Sequence, residues 1–128
     1  MALQIVHTEK APEAIGPYSQ AIEAGRWLFV SGQIPLVPGT DELVEGDFER
    51  QVRQVLENFR VIVEAAGGRL DQVTAVDVFL TDLGLFAVFN RIYEDFFCGH
   101  KPARAVVEVK ALPRGVPIEL KGVAYLGT

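Results

Sequence analysis

A single cysteine, Cys98, and two histidines, His7 and His100, are the only thiol and imidazole groups in this chain. One thiol cannot close an intrachain disulfide, and two histidines far apart in sequence lack the spacing of a zinc site. Basic runs are also missing, since no three lysines or arginines adjoin and the formal net charge is −5. That balance excludes the basic stripe a nucleic-acid or anionic-membrane binder needs. No apolar run approaches the roughly 18 residues of a membrane span, and no basic-then-apolar leader opens the chain, so the expected address is the cytoplasm. Walker loops, Rossmann glycine patterns, nucleophile elbows and His-Glu-x-x-His are all absent. Any activity is therefore expected to run on side chains, without a phosphate cradle or metal.

What is present is a well-mixed globular composition, 49% hydrophobic and 23% charged over 128 residues. This predicts a single domain spanning residues 1–128, and a chain of this length buries roughly 65% of its unfolded surface. Leu3 to His7 reads as an edge strand, and Ala11 to Tyr18, with two prolines and a glycine, as loop. Gln20 to Ala24 and Trp27 to Ser31 read as a hairpin around Gly25-Arg26. The stretch PLVPGTDELVEGD has no period and is predicted to be a surface loop of functional or interface importance.

From Asp47 to Ala66 the apolar residues Phe48, Val52, Val55, Leu56, Phe59, Ile62, Val63 and Ala66 fall at helical spacing, with Asp47 as N-cap and Gly67 as stop. Val73 to Leu80 is apolar enough for a central strand covered on both faces. Asp82 caps a second predicted helix from about Leu83 to Phe97, and Arg104 to Ala111 and Ile118 to Leu126 complete the strands. The order predicts an α+β fold in which two helices pack on one face of a mixed six-stranded sheet.

Strand alternation then assigns faces. After Pro102, which fixes the strand start, Ala105, Val107, Val109 and Ala111 form the apolar set expected under the helices, leaving Arg104, Val106, Glu108 and Lys110 on the other side. In the last strand Ile118, Leu120, Gly122 and Ala124 are the apolar set, with Glu119 and Lys121 opposite. Arg104 and Glu119 are thus expected on one helix-free face. That face also carries apolar residues, which predicts a homo-oligomer.

The candidate chemical groups are Tyr18, Ser31, Arg104 and Glu119. Each has a plain alternative: a loop-packing tyrosine, a strand-end hydroxyl, a solvated arginine, and a cross-strand ion-pair partner. If they converge, arginine's planar fork matches a carboxylate, the glutamate handles water and the tyrosine donates a hydrogen bond. Such parts suit hydrolysis of a small, already reactive anion. Cys98, near a helix end, reads as an inert thiol.

The stretches Ala11-Pro-Glu-Ala-Ile-Gly-Pro-Tyr-Ser-Gln-Ala, Val30-Ser-Gly-Gln-Ile-Pro, Val78-Phe-Leu-Thr-Asp-Leu, Phe89-Asn90 with Tyr93, Pro102-Ala-Arg-Ala and Leu112-Pro-Arg-Gly-Val-Pro-Ile-Glu, in this order, resemble the Rid family of YjgF-type enamine/imine deaminases. The resemblance implies a chorismate-mutase-like fold and a homotrimer with sites at the subunit interfaces. It further implies hydrolysis of 2-aminoacrylate- or 2-aminocrotonate-type intermediates, released by pyridoxal-phosphate-dependent dehydratases, to 2-keto acids and ammonia. The resemblance also implies that the protein itself carries no cofactor. By the same resemblance Arg104 holds the substrate carboxylate and Glu119 orients water. Tyr18 and Ser31 line the pocket, backbone groups near Gly32 and Val106 assist, and Asn90 is structural. The chain departs from many relatives at Lys101, where they carry Phe or Tyr, at Val106, where some carry Cys, and at Lys121, where an acid is common. Beside Arg104, Glu119 is expected to have a lowered pKa, opposed by burial. Two other functions fit the same residues less well: a non-catalytic keto-acid sensor, and a ribonuclease or translation inhibitor.

Overall fold

The computed structural model describes residues 2–127. Six strands, β1 (Gln4–Val6), β2 (Ala21–Ala24), β3 (Trp27–Gln33), β4 (Val73–Leu80), β5 (Ala103–Glu108) and β6 (Ile118–Tyr125), form one sheet, with helices α1 (Phe48–Ala65) and α2 (Phe86–Phe97) between them in the chain. The sheet order is β1-β2-β3-β6-β4-β5, with β4 and β5 parallel and every other neighbouring pair antiparallel. This is the mixed sheet with two covering helices expected from the element order. Among the described residues no helix is long and apolar enough to cross a membrane.

Local chemistry sets the helix limits. The Asp47 carboxylate accepts from the Arg50 amide at 3.1 Å, satisfying one orphan donor at the start of α1. Beyond Ala66, Gly67 takes φ +85°, the left-handed conformation that ends a helix at least cost. Asp82 does act as a cap, accepting from the Gly84 amide at 2.8 Å, but the residues it caps form a single 3-10 turn, Leu83–Leu85, and α2 begins only at Phe86.

The core lies between the helices and one face of the sheet. Val52, Val55, Leu56, Phe59, Ile62 and Val63 of α1 are buried against β3, β6 and α2. Gly122 makes the closest approach possible: a Cβ there would lie 2.8 Å from the Phe59 ring and 3.0 Å from the Ala75 carbonyl oxygen. Two buried amides tie down the long loops. Gln20 accepts from the Thr8 amide at 2.7 Å and donates to the Pro12 carbonyl at 2.8 Å, fixing residues 8–20. Asn58 on α1 donates to the Leu36 carbonyl at 3.0 Å and accepts from Gln54 at 2.9 Å. The predicted aperiodic loop after β3 is therefore ordered, closed on itself by a bridge between Leu36 and Leu43.

The alternation assigned to β5 is corrected. Arg104 pairs with Val76 and Val106 with Val78, both buried under the helices, while Ala105 and Val107 share the open face with Asp77 and Phe79. Glu119 pairs with Phe79 and so also lies on the open face. Arg104 and Glu119 are on opposite sides of the sheet. The reason is that β5 is an edge strand with apolar residues on both faces, so its composition does not mark its inner side; its pairing with β4 does. For β4, helices cover one face only, and Ala75, Asp77 and Phe79 on the other are half-buried.

Replacing Asn58 with leucine keeps the branched shape but leaves the Leu36 carbonyl without its donor. The expected cost is about 1–3 kcal/mol, read as a lower urea midpoint at unchanged m-value. A wild-type midpoint would show that the amide does not anchor the loop.

Candidate functional site

The open face carries the first half of the candidate site. Between Val30, paired with Gly122, and Gln33, paired with Leu120, two β3 residues stand against one on β6, a bulge formed by Ser31 and Gly32. The bulge turns Ser31 toward the 8–20 loop, where its hydroxyl donates to the Ser19 carbonyl at 2.5 Å and its amide to the Gln20 carbonyl at 2.9 Å. Glu119 lies over Gly32 so closely that a Cβ on that residue would fall 1.9 Å from the carboxylate oxygen Oε2. Glycine at 32 is thus what leaves room for the carboxylate. Pro12, Tyr18, Gln20, Ser31, Gly32 and Glu119 line a cavity of about 430 Å³, and Tyr18 stands at its mouth, 53% exposed.

Burial pushes the Glu119 carboxyl above the usual glutamate range, with the Lys121 ammonium opposing in part. The lowering expected from Arg104 does not arise, because the guanidinium is on the other side of the sheet. Among the described residues nothing donates a hydrogen bond to Glu119 within the chain, so Lys121 alone offsets its burial and the pKa stays raised.

The second half is on the helix side, at the β5 edge. Arg104 donates from Nη1 to the Asn90 Oδ1 at 2.7 Å and stacks 4.8 Å from the Tyr93 ring centroid and 5.6 Å from that of Phe86. Phe86, Asn90 and Tyr93 recur at helical spacing, so α2 presents all three to the guanidinium. Among the described residues Arg104 has no carboxylate partner. Asn90, Tyr93, Lys101, Pro102 and Arg104 line a second cavity, also about 430 Å³. The Tyr93 hydroxyl is buried with no hydrogen-bond partner; burial raises its pKa, and the Arg104 charge acts against that rise.

The fold therefore gathers Tyr18, Ser31, Gly32 and Glu119 in one cavity and places Arg104 in another. The Val106 side chain turns toward the core beside Val78, away from Glu119. Sequence reasoning took Asn90 as merely structural and assigned Tyr93 no role. The signal for both was their shared spacing on α2, which becomes readable only once Arg104 is known to face that helix.

Known proteins carry the same arrangement of elements. A family model described as Endoribonuclease L-PSP matches residues 8–126. A RutC family protein of Pyrococcus horikoshii is 52% identical over 122 residues, 95% of this chain and 97% of its own. The chain belongs to the Rid family. The mouse 2-iminobutanoate/2-iminopropanoate deaminase is 41% identical over 124 residues, covering 97% of this Rid chain and 92% of the mouse protein. The crystal structure of YyfA, a Rid protein of Yersinia pestis, superposes with a TM-score of 0.94 at 44% identity, covering 97% of this chain and 99% of that one. The chorismate-mutase-like fold of the Rid family is thus the fold of this chain.

Because the folded-state pKa of Glu119 is raised, its contribution to stability is fully present below its ordinary value near 4.3 and is lost as pH rises through the folded value. Glu119→Gln removes that loss. The expected result is a melting temperature above wild type at pH 7, with the gap closing toward pH 4. A gap that widens on acidification would contradict the buried-carboxyl account.

Proposed function

We propose that this protein hydrolyses small 2-imino and 2-enamino carboxylates to 2-keto acids and ammonia, at sites that two copies of the chain build together in a homotrimer. The observation that carries this reading is the division of the chemistry. Among the described residues Arg104 has no counterion in its own chain and the carboxylate cavity holds no arginine, and the two lie on opposite sides of one sheet. A second copy is the simplest way to bring them within reach of one small molecule. The open face supports such assembly, since Trp27, Phe29, Val107 and Tyr125 expose 40% to 49% of their surface there. The mouse deaminase among the relatives supports the reaction class.

In this reading the Arg104 guanidinium takes the substrate carboxylate bidentately, held at the required angle by Asn90 and the Tyr93 ring. The enamine first takes a proton at its terminal carbon to become the imine. Glu119, a stronger base for its burial, receives a proton from water as the oxygen attacks the imine carbon. The carboxyl returns that proton to nitrogen, giving the carbinolamine; it then passes the carbinolamine hydroxyl proton to nitrogen as the C–N bond breaks, so that ammonia leaves and the carbonyl forms. The Tyr18 and Ser31 hydroxyls and the backbone at Gly32 surround the reacting atoms. Pyridoxal-phosphate-dependent dehydratases, which release such intermediates, are the natural suppliers, and the cytoplasm is the corresponding compartment. The ribonuclease named in the family description fits less well, because a chain of net charge −5 is poorly suited to a polyanion.

The test supplies 2-aminocrotonate from threonine dehydratase and follows 2-oxobutanoate. Wild type is expected to accelerate its formation, and Arg104→Ala to leave only the spontaneous rate. Wild type at the spontaneous rate would overturn the proposal. RNA cleavage lost in Arg104→Ala would favour the ribonuclease.

A second experiment probes the shared site. Arg104→Ala and Glu119→Gln, each inactive alone, are unfolded together in equal amounts and refolded. A trimer with Arg104 and Glu119 from adjacent copies recovers about a quarter of the wild-type activity, because one neighbour in four combinations supplies both intact groups. No recovery would place both groups' function within one copy.

A further inference from the structure

We infer that Lys101 is a specificity-determining residue, holding a second carboxylate on a substrate or product whose first carboxylate is held by Arg104. The protein would then favour dicarboxylic 2-imino and 2-keto acids over monocarboxylic ones. The inference rests on the assignment of Arg104 as the carboxylate-holding group.

Lys101 and Arg104 line one cavity, on either side of Pro102 and three residues apart in extended chain, so their backbones are within about 10 Å. Pro102 restricts the backbone of both itself and Lys101, which limits how far the lysine stem can turn away. Among the described residues neither cation has an ion-pair partner. Glu94 is the one carboxylate lining the cavity; it is exposed at the rim and beyond ion-pair distance of both. His100, also in the wall, donates from Nε2 to the Val73 carbonyl at 2.7 Å, so that nitrogen is committed to the sheet.

Tyr93, only 7% exposed, lines the same cavity, and its hydroxyl, buried behind the cavity wall, has no partner among the described residues. A buried hydroxyl without a partner is uncommon in a folded chain and marks a place where an acceptor is to be expected. Two cations without a carboxylate partner in a single cavity are more than one carboxylate needs. A monocarboxylate with an alkyl tail would occupy Arg104 and set its apolar end against an ammonium group. A ligand of four or five carbons with a carboxylate at each end would use both cations.

Titration calorimetry on the assembled wild-type protein at low salt, with 2-oxoglutarate and 2-oxobutanoate as probes, tests this. The expected result is about tenfold tighter binding of 2-oxoglutarate. That ratio should fall toward one in Lys101→Met, persist in Lys101→Arg and shrink as salt is added. Equal affinities in wild type, or a ratio unaltered in Lys101→Met, would overturn the inference and leave Lys101 as a solvated rim charge. The outcome is separable from the deaminase reading, which fails only if imine hydrolysis stays at the spontaneous rate whatever the binding preference.

Discussion

The packing of α1 across β6, with the Phe59 ring laid against the bare backbone of Gly122, is the constraint from which the other placements follow. It makes the side of β6 that carries Ile118, Leu120, Gly122 and Ala124 the inner side, and alternation then sends Glu119 outward. Because β4 is hydrogen-bonded to β6 on one edge and β5 on the other, the same choice passes through Val76 and Val78 to Arg104 and Val106, which turn inward. One packing contact thus separates the two charged groups of the candidate site by the thickness of the sheet.

That separation has electrostatic consequences. Side by side, arginine and glutamate would neutralise one another, lowering the carboxyl pKa and occupying the guanidinium. Apart, each keeps a property useful for chemistry: Glu119 a raised pKa, Arg104 a free fork held by Asn90 and two aromatic rings. In the proposed trimer the groups meet only across an interface, where a carboxylate substrate lies between them as a counterion. In that proposal the apolar open face and the division of the site are two aspects of one arrangement.

Much of the rigidity around the carboxylate cavity comes from a few neutral polar groups. Gln20 and Asn58 each satisfy loop carbonyls that no strand or helix reaches, and the Ser31–Ser19 hydrogen bond joins the bulge to the same loop. These groups hold backbone in place without adding charge beside Glu119, so its pKa is governed by burial and Lys121 alone. On the Arg104 side, among the described residues, the Lys101 ammonium and the buried Tyr93 hydroxyl find no partner within the chain.

Chain order and residue type were enough to read the elements, because caps, glycine stops and apolar spacing act over a turn or two of backbone. Both helices and all six strands could be named in advance, and the family could be recognised from short stretches. Of the carboxylate cavity's lining, Tyr18, Ser31, Gly32 and Glu119 were legible as candidates, while Pro12 and Gln20 were not. Folded pairing was needed to decide which way β5 faces. Ala105, Val107, Val109 and Ala111 look like a core set, yet the strand ends at Glu108 and Ala105 and Val107 lie on the open face. At a sheet edge with apolar residues on both sides, the inner face is set by registration with Val76 and Val78 of β4, a long-range contact that local composition does not encode.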